Sequence, residues 1–243
     1  PIKHGPKYPE HVARALEVAA ERERFAADIA PHVGDAEFVG LPAVLGIYKT
    51  PEILADLEAR LGARVFEIPT MPPAITGLRL KEAFETHLPE LGVEAYYHHR
   101  VLAARPLSAG GFELEIGRTE PERMVLADRV VLATGRFLGK GLNPERDGIH
   151  EALFDLPVCQ PAHRDKWYSE TFLAPQGHGV SRAGLEVDDR FRPIDAQGKV
   201  AYPDLYAVGS ILAHQDWMRT KSGVGIAVAS AWAALKAILA ETN

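Results

Sequence analysis

The residues best placed to do chemistry lie near the end of the 243-residue chain. Leu205-Tyr206-Ala207-Val208-Gly209-Ser210 is an apolar run ending in a small turn, and it reads as a buried strand of a parallel sheet. A polar stretch, His214 to Lys221, follows. Ser222-Gly223-Val224-Gly225 then leads into Ile226 to Leu239, an Ala-rich segment without glycine or proline that is predicted to be helix. Glycines let a ligand approach the backbone, and a helix N-terminus offers free N–H groups and a partial positive charge. That geometry suits a phosphate, or the anionic edge of a reduced flavin. Lys221 and Arg219 could add charge beside it. His214 and His178 are candidate bases, because histidine titrates near neutrality. Arg136, Arg164 and Arg182 offer the guanidinium fork that a phosphate prefers.

The elements that must position these residues follow from periodicity and punctuation. Residues 10–29 read as one amphipathic helix, with Val12, Leu16, Ala19, Phe25 and Ile29 at helical spacing. Glu37 to Val44 reads as a strand. Thr50 is predicted to cap a helix that has Pro51 at its first position and stops at Gly62. Ala63 to Ile68 is the next strand, so the opening has an αβαβ-like pattern. Pro69 to Gly77 reads as a rigid loop. Leu78 to Leu91 is predicted helix and Val93 to Tyr97 predicted strand. Val101–Arg105, Phe112–Ile116 and Arg123–Ala127 form an expected antiparallel meander, turned at Ala109-Gly110-Gly111. Asp128 to Gly135 is a buried strand running into a glycine turn. Residues 136–200 are irregular and rich in cationic side chains.

Composition narrows the classes. Hydrophobic content of 47% is ordinary for a globular protein, and a net charge of −6 argues against a nucleic-acid surface. One cysteine, Cys159, excludes an internal disulfide and a cysteine-held iron–sulfur cluster within one chain; no metal site is expected. No uninterrupted apolar run reaches membrane-spanning length and no signal-peptide pattern opens the chain, so the cytoplasm is the expected compartment and no direct membrane span is expected.

The order of helix, strand, meander and Asp-Arg-Val-Val-Leu-Ala-Thr-Gly resembles flavin-dependent oxidoreductases with a two-dinucleotide-binding-type domain. A closer resemblance is to the B subunit of anaerobic glycerol-3-phosphate dehydrogenase. It rests on Phe66-Glu67-Ile68-Pro69-Thr70-Met71-Pro72-Pro73 with Gly77-Leu78-Arg79-Leu80, and on Leu41-Pro42-Ala43-Val44-Leu45-Gly46. It rests equally on Ala133-Thr134-Gly135-Arg136-Phe137-Leu138-Gly139-Lys140-Gly141-Leu142, Phe172-Leu173-Ala174-Pro175-Gln176 and Arg192-Pro193-Ile194-Asp195-Ala196-Gln197-Gly198. These motifs run in collinear order over roughly residues 36 to 235. Two departures stand out. The family's opening Gly-x-Gly-x-x-Gly turn is absent, so the chain is expected to be the C-terminal part of a longer protein. Ser210 also stands where many flavoproteins place aspartate.

The resemblance implies a partial two-dinucleotide-binding-type α/β fold. Residues 1–76 would form a small α/β substrate or cap region. Residues 77–243 would form the C-terminal part of the flavin-binding domain, with a loop-rich insertion at about 136–200. The implied cofactor is FMN or FAD, near Thr134, Gly135, Gly209, Ser210, Lys221, Ser222, Gly223, Val224 and Gly225. Substrate would meet Arg136 and Arg219, and His214 or His178 would serve as base. The implied reaction oxidises sn-glycerol 3-phosphate, a small phosphorylated polyol, to dihydroxyacetone phosphate. A larger flavin subunit and a membrane-bound iron–sulfur subunit would pass electrons to quinone and hold the protein at the inner face of the membrane. The isolated chain is expected to be inactive. Two alternatives are another FAD-dependent oxidoreductase on the same scaffold and a non-catalytic electron-relay or assembly subunit.

Overall fold

The structure is a computed structural model that describes residues 8–71 and 73–242. Residues 1–7, and Pro72 of the expected rigid loop, lie outside the described residues. The chain divides into two compact units between Tyr96 and Tyr97.

In the first unit, helices α1 (Pro9–Leu16), α2 (Ala19–Val33), α3 (Thr50–Leu61) and α4 (Ile75–Glu90) accompany a parallel pair, β1 (Phe38–Pro42) and β2 (Arg64–Ile68). The single helix expected over 10–29 is therefore two. The chain is extended at Val18, and the Glu17 carboxylate accepts the amides of Ile47 and Tyr48 at 2.8 and 2.7 Å. Arg22, 5% exposed, donates to the carbonyls of Leu16 and Glu17 where α1 ends, and pairs with Asp56 and Glu52 of α3. A helix end left open by the break is thus satisfied from the side. Thr50 is the first helical residue rather than the cap: Lys49 precedes the helix, no side-chain cap bond forms, and the buried Thr50 Oγ1 has no partner among the described residues. Leu16, Leu45, Ile53, Leu57, Val65 and Ile75 build this unit's core. Ile75 and Leu78 of α4 pack in it, which is why the unit extends past the 76/77 division read from the sequence. The strand expected at Val93–Tyr97 is irregular chain; Val93 and Tyr97 are exposed and no strand is paired with them.

In the second unit, β3 (Arg100–Pro106), β4 (Phe112–Gly117) and β5 (Pro121–Ala127) form the expected antiparallel meander. β6 (Val130–Leu132) lies parallel to a strand far along the chain. Between them the 136–200 region folds two small antiparallel pairs: β7 (Leu142–Pro144) with β8 (Ile149–Glu151), and β9 (Val158–Cys159) with β10 (Gly184–Leu185). The partner of β6 is β11 (Leu205–Ala207). The loop-rich stretch supplies core of its own: Leu142, Phe154, Trp167 and Leu185 pack with Phe112, Leu132 and Leu205.

Helices α5 (Trp217–Thr220) and α6 (Gly223–Thr242) close the chain. α6 is tied down at two points. Ser230 bonds the Gly209 amide, and Glu241 accepts the hydroxyl of the fully buried Tyr206 at 2.8 Å. Val224, Val228, Trp232, Leu235 and Leu239 are exposed. By length and composition alone Gly223–Glu241 would be long and apolar enough to cross a membrane, a stretch missed when only uninterrupted apolar runs are counted, because Ser230 and Lys236 punctuate it.

Candidate functional site

Ligands of parallel sheets collect where the strands end at their carboxyl edge. Here β6 runs out into Thr134-Gly135 and β11 into Gly209-Ser210, side by side: a Cβ placed on Gly135 would lie 3.3 Å from Ser210 Oγ. Gly209 has φ +75°, a conformation other side chains rarely adopt. Its amide donates to Ser230 Oγ at 2.8 Å, and that hydroxyl in turn donates to the Ile226 carbonyl at 2.6 Å. Helix α6 is thereby fastened to the turn. The Thr134 hydroxyl oxygen is buried and has no partner among the described residues.

The first bond in α6 runs from the Ile226 amide to the Ser222 carbonyl, 2.9 Å, so the amides of Gly223, Val224 and Gly225 lie outside the helical ladder. The two glycines differ. A Cβ on Gly223 would meet the Trp217 ring at 3.2 Å, whereas one on Gly225 would meet no atom within 4 Å. Beside this helix start lies a cleft of about 580 Å3, lined by Arg182, His214, Asp216, Arg219, Ser222 and Ile226. The Asp216 carboxylate caps α5 by accepting the Arg219 amide. The Arg219 side chain lines the cleft, and Lys221 is exposed in a left-handed conformation between α5 and α6.

Three residues read from the sequence as reactive or anion-binding are occupied elsewhere. Arg136 is 7% exposed, and its guanidinium donates to the carbonyls of Ser181, Leu212 (3.0 Å) and Gln215 (2.9 Å). Burial pushes its pKa down and the Asp216 carboxylate opposes that push. It is a latch joining three segments: its two terminal nitrogens are spent on backbone rather than open to a phosphate, and only the buried Nε has no partner among the described residues. His178 accepts the Ser169 amide at Nδ1 and donates from Nε2 to the Phe172 carbonyl, both at 3.0 Å, so neither ring nitrogen is free to take a proton. Arg164 donates to the Glu145 carbonyl and stacks over Trp167. His214 does line the cleft, with Nε2 on the Glu186 carboxylate at 2.8 Å.

The FAD binding domain family model matches residues 10–226. The chain belongs to this FAD-binding family. The α/β flavoprotein fold and the FMN-or-FAD expectation accord with that membership. Two proteins of Halobacterium salinarum strains, each named as the probable B subunit of an anaerobic glycerol-3-phosphate dehydrogenase, are 34% identical over 214 residues, covering 88% of this chain and 49% of the relative. The B subunit of the anaerobic glycerol-3-phosphate dehydrogenase of Yersinia pestis is 29% identical over 231 residues, covering 95% and 53%. The chain spans about half the length of the curated relatives it matches, and the resemblance read from its motifs is borne out.

The residues at the ends of β6 and β11 and at the start of α6 have the chemistry to fit one end of an FAD. Free helix amides, an open Gly225 and two guanidinium groups suit an electron-rich ring edge, and the orphaned Thr134 hydroxyl suits a polar ligand atom. Sequence reasoning missed Ser230 and Asp216. A lone serine within an Ala-rich helix was the available signal for the first, and an aspartate three residues before Arg219 for the second.

Proposed function

We propose that this chain supplies the ring-facing part of the flavin site in one subunit of a glycerol-3-phosphate dehydrogenase. The observation that carries the reading is the start of α6, which brings unpaired amides, Gly225, Arg182 and Arg219 together at one cleft. The names of the relatives, B subunits of anaerobic glycerol-3-phosphate dehydrogenases, supply the substrate. When bound, FAD supplies the hydride acceptor for an alcohol-to-ketone oxidation. The protein's task is then electrostatic. The α6 amides and the Arg219 guanidinium hold negative charge at the ring edge, with Lys221 close by in sequence. Arg219 and Arg182, the latter making one long bond of 3.4 Å to the Gln176 carbonyl, are the cleft cations that would meet a phosphorylated polyol, in place of Arg136. Thr134, Gly135, Gly209 and Ser210 line the strand ends along which the rest of the cofactor lies. A larger flavin subunit and a membrane-bound iron–sulfur subunit complete the route to quinone.

Gly225→Val in the full-length protein tests this. A side chain at Gly225 occupies open space and leaves the fold intact, so the expected result is lower FAD content and lower glycerol 3-phosphate oxidation with parental circular dichroism. Parental FAD content in a folded Gly225→Val protein overturns the placement.

A further inference from the structure

Cys159, Glu186 and His214 come from three separate segments, yet the thiol sulfur, a carboxylate oxygen and a ring nitrogen all lie within 4.8 Å of one another. The fold sets these positions through its backbone. Cys159 of β9 is paired in register with Gly184 of β10, two residues before Glu186. The Ala213 amide donates to the Leu185 carbonyl and the His214 amide to the Arg182 carbonyl, both at 2.9 Å. The Ile194 amide bonds the Glu186 carbonyl at 3.1 Å. His214 lies in the left-handed region at φ +67°. Each of the three residues is thus held by ladder bonds of its own segment or its immediate neighbours.

We propose that Cys159, Glu186 and His214 form a zinc site with three protein ligands and an open fourth position. The proposal goes beyond the flavin chemistry above and does not depend on it. A thiolate, an imidazole and a carboxylate are the donor types that zinc accepts, while the thiolate disfavours calcium and magnesium. Zinc–ligand bonds of about 2.0–2.3 Å in a tetrahedron put donor atoms roughly 3.3–3.8 Å apart. To reach that spacing the 2.8 Å His214–Glu186 contact opens slightly, and the thiol sulfur, within 4.8 Å of both partners, is adjusted by side-chain rotation. Two anionic ligands balance the charge of the dication. Cys159 and Glu186 also line a cleft of about 490 Å3 with Gln160, Ile194 and Asp195, so water or a substrate oxygen has room at the fourth position. A bound cation favours the thiolate, so zinc binding would release the thiol proton.

The test is metal binding by the purified protein after chelation. Zinc is titrated in competition with a chromophoric chelator, and cobalt(II) serves as the spectroscopic probe. One zinc per chain is expected, with cobalt showing thiolate charge-transfer absorption and tetrahedral d–d bands. Cys159→Ser should abolish the charge-transfer band, and Glu186→Gln and His214→Gln should each weaken zinc binding at least about tenfold. His150→Gln is the control, because His150 lies in a separate exposed group with Glu145 and Asp147. Circular dichroism checks each variant. Glu186→Gln, whose side chain is 46% exposed, keeps the test valid if Cys159→Ser misfolds. Zinc affinity unchanged across the three variants, cobalt bound without a thiolate band, or binding lost only in His150→Gln would each overturn the site.

Discussion

Arg136 offers a sharp choice between a phosphate fork and a structural latch. In Arg136→Met, the Leu212 carbonyl keeps a donor, because the Gln215 side-chain amide also reaches it at 3.0 Å. The carbonyls of Ser181 and Gln215 have no other donor among the hydrogen bonds of the described residues. Each acceptor left unpaired costs up to roughly 1–3 kcal/mol, and because both are only partly buried water returns some of it, so a net loss of about 2 kcal/mol is expected. Arg136→Lys retains the charge but not the fork, and should lose about half as much. Urea unfolding followed by tryptophan fluorescence reads this directly: the midpoint should fall while the slope stays constant. If Arg136 were instead an open anion site, removing a buried charge would leave the midpoint unchanged or raise it. An unchanged midpoint in Arg136→Met therefore refutes the latch.

Two further outcomes follow from the hydrogen bonds already described. Ser230→Ala orphans the buried Gly209 amide and should cost roughly 1–3 kcal/mol in urea unfolding while lowering FAD retention in the full-length protein; equal stability of the two proteins would show that the turn does not depend on α6. In the first unit, hydrogen bonds from Arg22 and then Arg60 hold the Asp56 carboxyl below its ordinary range. The folded pKa is depressed, so its contribution is fully present above the unfolded carboxylate value of about 3.9 and is lost as pH falls through the folded value. Urea midpoints measured from pH 7 down to pH 3 should drop less steeply in Asp56→Asn than in the parent, and identical slopes would remove Asp56 from the acid response.

The sequence was most legible where a local signal and a tertiary role coincide. The meander, the strand at Leu205 and the helix after Ser222 announce themselves by alternation, apolar runs and glycine punctuation, and all form. The break at Glu17–Val18 was hidden, because the residues that satisfy it, Ile47, Tyr48 and Arg22, act through tertiary hydrogen bonds that no helical periodicity records. Val93–Tyr97 has strand composition but stays irregular, paired with no strand among the described residues. At the site, the glycines and their two strand ends were readable. The functions of the cations were not: Arg136, Arg164 and Arg219 are equivalent as letters, and only burial and the position of carbonyls separate a latch from a cleft wall.

The β6–β11 pairing has a consequence for how the molecule comes into being. Its two strands are three residues each and stand about 75 residues apart in the chain. Closing so long a segment costs chain entropy before any ladder bond repays it, and three register pairs return little by themselves. The meander, closed by short turns, can assemble early. The juxtaposition of Gly135 with Ser210 must wait until the intervening β7–β10 region has condensed onto Phe112 and Leu132. These strand ends are therefore expected among the last features of this unit to form, and on the proposed reading flavin capture is tied to the close of folding rather than to its beginning.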